Sequence, residues 1–282
     1  MAHLRCLSRI PRTRVARLLL CSAALLLLCP LAVLATPSGN FYRDGVDVYD
    51  DWDICRTRAY GEDGFFRFDG ESFEPVIAAQ SLGFNADIAY ERGAQFALEY
   101  PDPTQRAEAI FAFARDRVRY MSDSSQFGYV EFAVNADELL SVVYQDGVAY
   151  GDCEDYAVLL GVMYLGAGLR SAVVLAPEHA AALVYLPDYP YANRMLTLHG
   201  ESGWIWAEAT GGNNPLGWMP EQYSGSWLLG YELRDQGLAR DGLPDRPLTT
   251  VTRDTGQGFA IPLSPLLVVM LLLWIIPAVA RR

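Results

Sequence analysis

Cys153 stands in the run Gly151-Asp152-Cys153-Glu154-Asp155-Tyr156-Ala157, ahead of apolar residues at helical spacing (Ala157, Leu160, Gly161, Tyr164, Leu165). Asp152 is a natural N-cap, so the thiol falls at a helix start. Unpaired amides and the helix dipole there stabilise a thiolate, and a lowered thiol pKa is the expectation. A thiolate attacking a carbonyl needs an imidazole to take its proton and later protonate the leaving group, and that imidazole needs a carboxylate or amide to orient it. Downstream of Cys153 lie His179, at the start of one strand-like run, and Glu208, at the end of another. Adjacent antiparallel strands would set those side chains together.

Between residues 36 and 258 there are two cysteines, Cys55 and Cys153, and two histidines, His179 and His199. A zinc site would need nearly all four at spacings unlike known fingers, so no metal is expected. Three plainer readings compete. Cys153 could pair with Cys55 in a disulfide. His199 could replace His179, although His199-Gly200-Glu201-Ser202-Gly203 reads as a turn. Glu208 could be a surface carboxylate, although the alternation of Trp204 and Trp206 reads as a partly buried strand, where a lone Glu is costly. Gln145 or Tyr144 could supply an oxyanion donor; a solvated turn at Gln145-Asp146-Gly147 is the simpler reading.

The elements that must hold these residues are legible. Asn85 opens a helix over Ala86–Leu98, interrupted by Gly93. Asp102-Pro103 with Gln105 opens a second, with Ala107, Ile110, Phe111, Ala114 and Val118 on one face. Asn135 with Glu138 opens a short third, through Val143. The Cys153 helix is the fourth, stopped by Gly166 and Gly168. Strands follow at Ser171–Ala176, Ala180–Leu186 and Trp204–Ala209. Helices first and strands second is an α+β order. The Asp-rich stretch 40–75 lacks the spacing of a calcium loop and reads as a solvated loop.

With these residues in view, the chain resembles the transglutaminase-like superfamily of papain-type cysteine enzymes. The run Gly151–Ala157 resembles its nucleophile motif. Arg117-Val118-Arg119-Tyr120 and Ala136-Asp137-Glu138-Leu139-Leu140 resemble its lead-in, Gly168-Leu169-Arg170-Ser171-Ala172 its turn into the first strand, and Trp204-Ile205-Trp206-Ala207-Glu208-Ala209-Thr210 its third-residue motif. The likeness covers about residues 103–220. It implies a nucleophile helix packed on an antiparallel sheet, a Cys153-His179-Glu208 triad, no cofactor, and a protein or peptide substrate. The implied reaction is amide hydrolysis, with amine transfer or a silent binding domain as alternatives. Two departures stand out: Ala180-Ala181-Ala182 follow the His where an aromatic is usual, and Glu208 replaces Asp.

Just over half of the 282 residues are apolar, which excludes a disordered chain. All 22 basic residues are Arg, so the chain offers no Lys amine to cross-link. Arg5, Arg9, Arg12, Arg14 and Arg17 precede the apolar run Leu18–Ala35, and Arg281-Arg282 follow the uncharged Phe259–Ala280. Setting those seven Arg aside leaves 15 against 34 acids, a net of −19, which disfavours nucleic-acid binding. The first run reads as a signal peptide or uncleaved anchor, the second as a transmembrane helix or a cleaved sorting tail. Arg at both inner ends places residues 36–258 outside the cytoplasm. The expected organisation is a signal or anchor over 1–35, an acidic aromatic-rich region over 36–84, a transglutaminase-like domain over 85–235, a linker over 236–258, a membrane helix over 259–280, and a basic cytoplasmic tail at 281–282.

Overall fold

The computed structural model describes residues 38, 40–59, 63–68, 73–83, 88–234, 249–250 and 252–253, all within the unit Ala35–Arg282. The signal or anchor run, the membrane helix, the Asn85 cap and most of the linker lie outside them. Among the described residues no helix is long and apolar enough to cross a membrane.

The stretch read as a solvated loop is instead two antiparallel hairpins. Strands β1 (Phe41–Asp44) and β2 (Asp47–Asp50) form one, β3 (Phe66–Phe68) and β4 (Phe73–Pro75) the other. The reason is ion pairing inside the fold. Fully buried Arg56 reaches Asp50 through Nε at 2.7 Å, Glu138 through Nη1 at 2.8 Å, and the Ala133 carbonyl at 2.8 Å. An Asp-rich segment with a guanidinium inside it folds inward. Val48, Ile54, Phe65, Phe66, Phe73 and Ile77 join the same apolar core as the later helices.

A short helix α1 (Val76–Gln80) leads to α2 (Ile88–Glu99) and α3 (Pro103–Arg117). Asp102 caps α3 by accepting from the Gln105 N–H at 2.9 Å. Strand β5 (Val118–Tyr120) and a single turn, α4 (Asp123–Gln126), follow. Helix α5 (Ala136–Asp146) opens with the full Asn135–Glu138 capping box and runs three residues past the expected end, to the left-handed Gly147. Strand β6 (Ala149–Gly151) lies parallel to β5, with Tyr120 opposite Gly151. It delivers the chain to α6 (Cys153–Gly166), which is apolar all round and buried against α2, α3, α5 and the sheet.

Two glycines let α6 sit this deep. A Cβ on Gly93 would lie 2.1 Å from the Met163 carbonyl oxygen, and one on Gly166 would lie 2.0 Å from that of Tyr90. Gly93, read as an interruption of a helix, is where α2 touches the backbone of α6.

The main sheet is antiparallel throughout, in the order β12-β11-β7-β8-β10-β9-β13. Its strands are β7 (Ser171–Ala176), β8 (His179–Tyr185), β9 (Leu196–Leu198), β10 (Glu201–Ala207), β11 (Leu229–Glu232), β12 (Thr249–Thr250) and β13 (Thr252–Arg253). Val173, Ala182, Val184 and Ile205 face α6; Ala181, Leu183, Trp204 and Trp206 face a second core on the opposite side. The mixed α+β class with an antiparallel sheet is therefore observed.

Candidate active site

Three elements meet at the end of the sheet. Helix α6 brings Cys153, half-buried, at its first residue, behind the N-cap Asp152. The hairpin β7–β8 brings His179. It turns through Pro177 and Glu178, and Glu178 takes a left-handed φ of 56°, a strained conformation beside the imidazole. Strand β10 ends at Ala207, and Glu208 follows at once.

His179 and Glu208 are brought together. Nε2 of His179 lies 3.2 Å from Oε1 of Glu208, at ion-pair distance without hydrogen-bond alignment. Glu208 also accepts from Trp206 Nε1 at 2.9 Å and Thr210 Oγ1 at 2.6 Å. Burial pushes its carboxyl up, but contact with His179, Thr210 and Trp206 outweighs this and holds it below its ordinary value.

Cys153 Sγ sits against the backbone N–H of Ala180, the residue after His179. Its thiol donates to Glu154 Oε2 at 3.2 Å. Among the described residues no hydrogen bond joins Sγ directly to the imidazole. By strand alternation His179 shares the face of Ala181 and Leu183, whereas α6 packs on the other, so the site straddles the sheet end.

The expectation of a lowered thiol pKa is overturned. Burial first, then the negative charge of Glu154 and Asp152, push the Cys153 thiol well up; the Ala180 N–H opposes them and loses. The acids flanking the cysteine, Asp152 and Glu154, work against the helix N-terminus. The same acids form a wider group with Asp123, Glu131 and Asp155. Ligand oxygens of Asp123, Asp152 and Asp155 lie within 4.8 Å of one another, as do those of Asp123, Glu131 and Glu154; Asp152 and Glu154 make a third such set with the Cys153 sulfur. Burial and mutual repulsion raise Asp123 to about 7, and raise Glu131, Glu154 and Asp155 as well. Oxygen donors so placed suit a hard cation such as calcium or magnesium. The sequence reading had no metal here, because these carboxylates come from three separate segments.

The remaining candidates separate cleanly. Gln145 is exposed on the last turn of α5 and has no described contact with Cys153. His199 and Gly200, with φ of 54° and 78°, are the two turn residues of the β9–β10 hairpin, remote in register from β8's first residue. Cys55 and Cys153 are both free thiols. Sequence reasoning missed Tyr223 and the part played by Trp206 around His179. Trp206 carries a signal, because it shares Glu208's strand face two residues earlier. Tyr223 carries none, because it arrives from a loop.

No family model matches the chain, and no curated protein matches it. Among solved structures the chain is similar to a protein from Cytophaga hutchinsonii proposed to be a cysteine protease. They share 14% identity over 59% of this chain and 58% of that one, with a TM-score of 0.29. The match thus spans a little over half of that protein's length. At that score the likeness assigns neither fold nor chemistry.

Proposed function

We propose that the chain is a cysteine hydrolase, a peptidase or amidase, acting outside the cytoplasm with Cys153 as nucleophile, His179 as acid–base and Glu208 as the orienting carboxylate. The observation that carries the reading is the His179–Glu208 contact at 3.2 Å, one residue from the amide that touches the Cys153 sulfur. With Nε2 turned to Glu208, Nδ1 of His179 is left to exchange a proton with Cys153. Catalytic hydrogen bonds are commonly long in the free enzyme and tighten on the substrate.

In this reading the thiol proton passes to His179 and the thiolate attacks an amide carbonyl. N-terminal amides of α6 face the developing oxyanion. His179 then protonates the leaving amine as the C–N bond breaks, giving an acyl-enzyme. Water, deprotonated by His179, releases the acid and restores the thiol. An amine in place of water would make the same site a transferase.

The raised thiol pKa favours a second reading, a silent domain that binds a peptide at the same site. Alkylation of Cys153 against pH separates the two. The hydrolase reading expects alkylation at mildly acidic pH that is lost in His179→Ala. Slow alkylation that rises only with alkaline pH and ignores His179→Ala would sink it. Products formed with and without a primary amine then distinguish hydrolysis from transfer.

A further inference from the structure

His179 is held on its ring face as well as at its edge. The ring of Tyr223 lies 5.1 Å from the imidazole at an interplanar angle of 7°, and Trp206 lies 6.3 Å from it at 18°. Tyr223 and Trp206 stack on each other at 5.6 Å and 24°. Trp206 is fully buried and also donates to Glu208, so three near-parallel rings and one carboxylate form a single packed unit.

The placement of Tyr223 is imposed from outside that unit. It ends a one-turn 3-10 helix, Glu221–Tyr223, that starts at Pro220. The residue before, Met219, is clamped on both backbone groups by Asn193: its N–H donates to Oδ1 and its carbonyl accepts from Nδ2, each at 2.9 Å. Asn193 belongs to the β8–β9 connection, so the same strand that starts with His179 leads into the loop that pins Tyr223.

We propose that Tyr223 is a positioning residue for His179, fixing the plane of the imidazole and covering the His179–Glu208 contact from water; this rests on the hydrolase reading above. Parallel stacking restricts rotation of the imidazole about its side-chain bonds while leaving both ring nitrogens free at the edge. Excluding water strengthens the charge contact it covers. Burial, first of all, raises the pKa of the Tyr223 hydroxyl, and the charge of nearby Glu208 adds to it.

The test uses the full-length chain. The chain has three histidines, so the ring protons of His179 can be assigned by NMR against His179→Ala. The wild-type His179 resonances should sit upfield, within the ring currents of Tyr223 and Trp206. Tyr223→Phe should keep those shifts and stay within about twofold of the wild-type alkylation rate at mildly acidic pH. Tyr223→Leu, and Asn193→Leu through the loop, should move the resonances downfield and slow alkylation by about threefold to tenfold.

Wild-type resonances at unstacked positions would overturn the inference without need of any variant. So would a folded Tyr223→Leu protein with the wild-type alkylation profile while His179→Ala abolishes alkylation. If His179→Ala itself changes nothing, the hydrolase reading has failed and the positioning role fails with it.

Discussion

His179 Nε2 and Glu208 Oε1 stand 3.2 Å apart across neighbouring strands, in a register that pairs Ala207 with Ala182. Glu208 is a residue beyond its strand, and His179 is the first of its own. The contact is therefore made at the ends of two paired strands, with His179 still laddered to Ala176 beside its turn. Trp206 and Thr210 hold the carboxylate from either side in sequence.

Glu208→Gln keeps an oxygen for Trp206 or Thr210 and replaces the carboxylate that contacts His179 with a neutral amide. Alkylation of Cys153 at mildly acidic pH should fall about tenfold or more, because the imidazole loses the carboxylate that orients it. Glu208→Asp, one methylene shorter, should recover part of that rate. A Glu208→Gln protein with an unchanged pH–rate profile would show that the carboxylate does not act through His179.

Glu154 is expected to restrain the thiol. It accepts the Cys153 proton at 3.2 Å, and its charge is, after burial, the largest influence holding that thiol up. Glu154→Gln removes the charge at almost constant volume. The alkylation midpoint of Cys153 should then move to lower pH, measured in chelator so that no divalent cation screens the acids. A midpoint that stays, or rises, contradicts this account.

The elements were legible where one segment carries its own signal. The Asn135–Glu138 box, the Asp102-Pro103 start and the Asp152 cap all sit where local chemistry puts them. So do the strands carrying His179 and Trp206. Legibility failed where distant segments meet. The Asp-rich stretch looked solvated because its partner, Glu138, lies 82 residues from Arg56. The thiol looked activated because the helix start is a local feature, whereas the burial that raises the thiol most comes from chain distant in sequence, the strand of Ala180 included. Tyr223 was invisible for the same reason.

The acidic group sets a pH dependence of stability opposite to the usual one. Asp123 is buried, with Oδ2 accepting from the Phe132 N–H and Oδ1 lacking a partner. Its folded pKa is about 7, above the ordinary carboxylate value, so the folded state holds this proton more tightly than the unfolded one. A carboxyl raised in this way contributes stability at low pH that is lost as pH rises from about 4 to 7, by at most about 1.4 kcal/mol per pH unit. Asp123→Asn keeps an acceptor for Phe132 without the charge. It should raise the Tm at pH 8 and change it little at pH 4, in chelator. An equal shift at both pH values would place the effect in packing. Glu208 works in the opposite sense, because its lowered pKa contributes stability that is lost as pH falls.

Arg56 is the strongest test of how the first hairpins support the site. Its guanidinium contacts Asp50, Glu138 and the Ala133 carbonyl, and the Arg56 carbonyl accepts from the Ala133 N–H at 2.9 Å. The neighbouring Phe132 and Val134 amides donate to Asp123 and Asp155, so the segment 132–134 is tied to the first hairpins on one side and to the acids around Cys153 on the other. Burial already holds Glu138 above its ordinary pKa despite Arg56, so little would stabilise its charge once Arg56 is gone. Arg56→Met should therefore cost about 3–5 kcal/mol, the range for removing one partner of a buried ion pair. Arg56→Lys should recover only part, because a single ammonium cannot span both carboxylates and the carbonyl. Denaturant titration gives the stability. Parallel alkylation of the still-folded Lys variant should show an altered Cys153 profile, as segment 132–134 shifts against Asp155. A loss below about 1 kcal/mol in Arg56→Met, with an unaltered Cys153 profile in Arg56→Lys, would mean that the hairpins are an appendage and the site is organised without them.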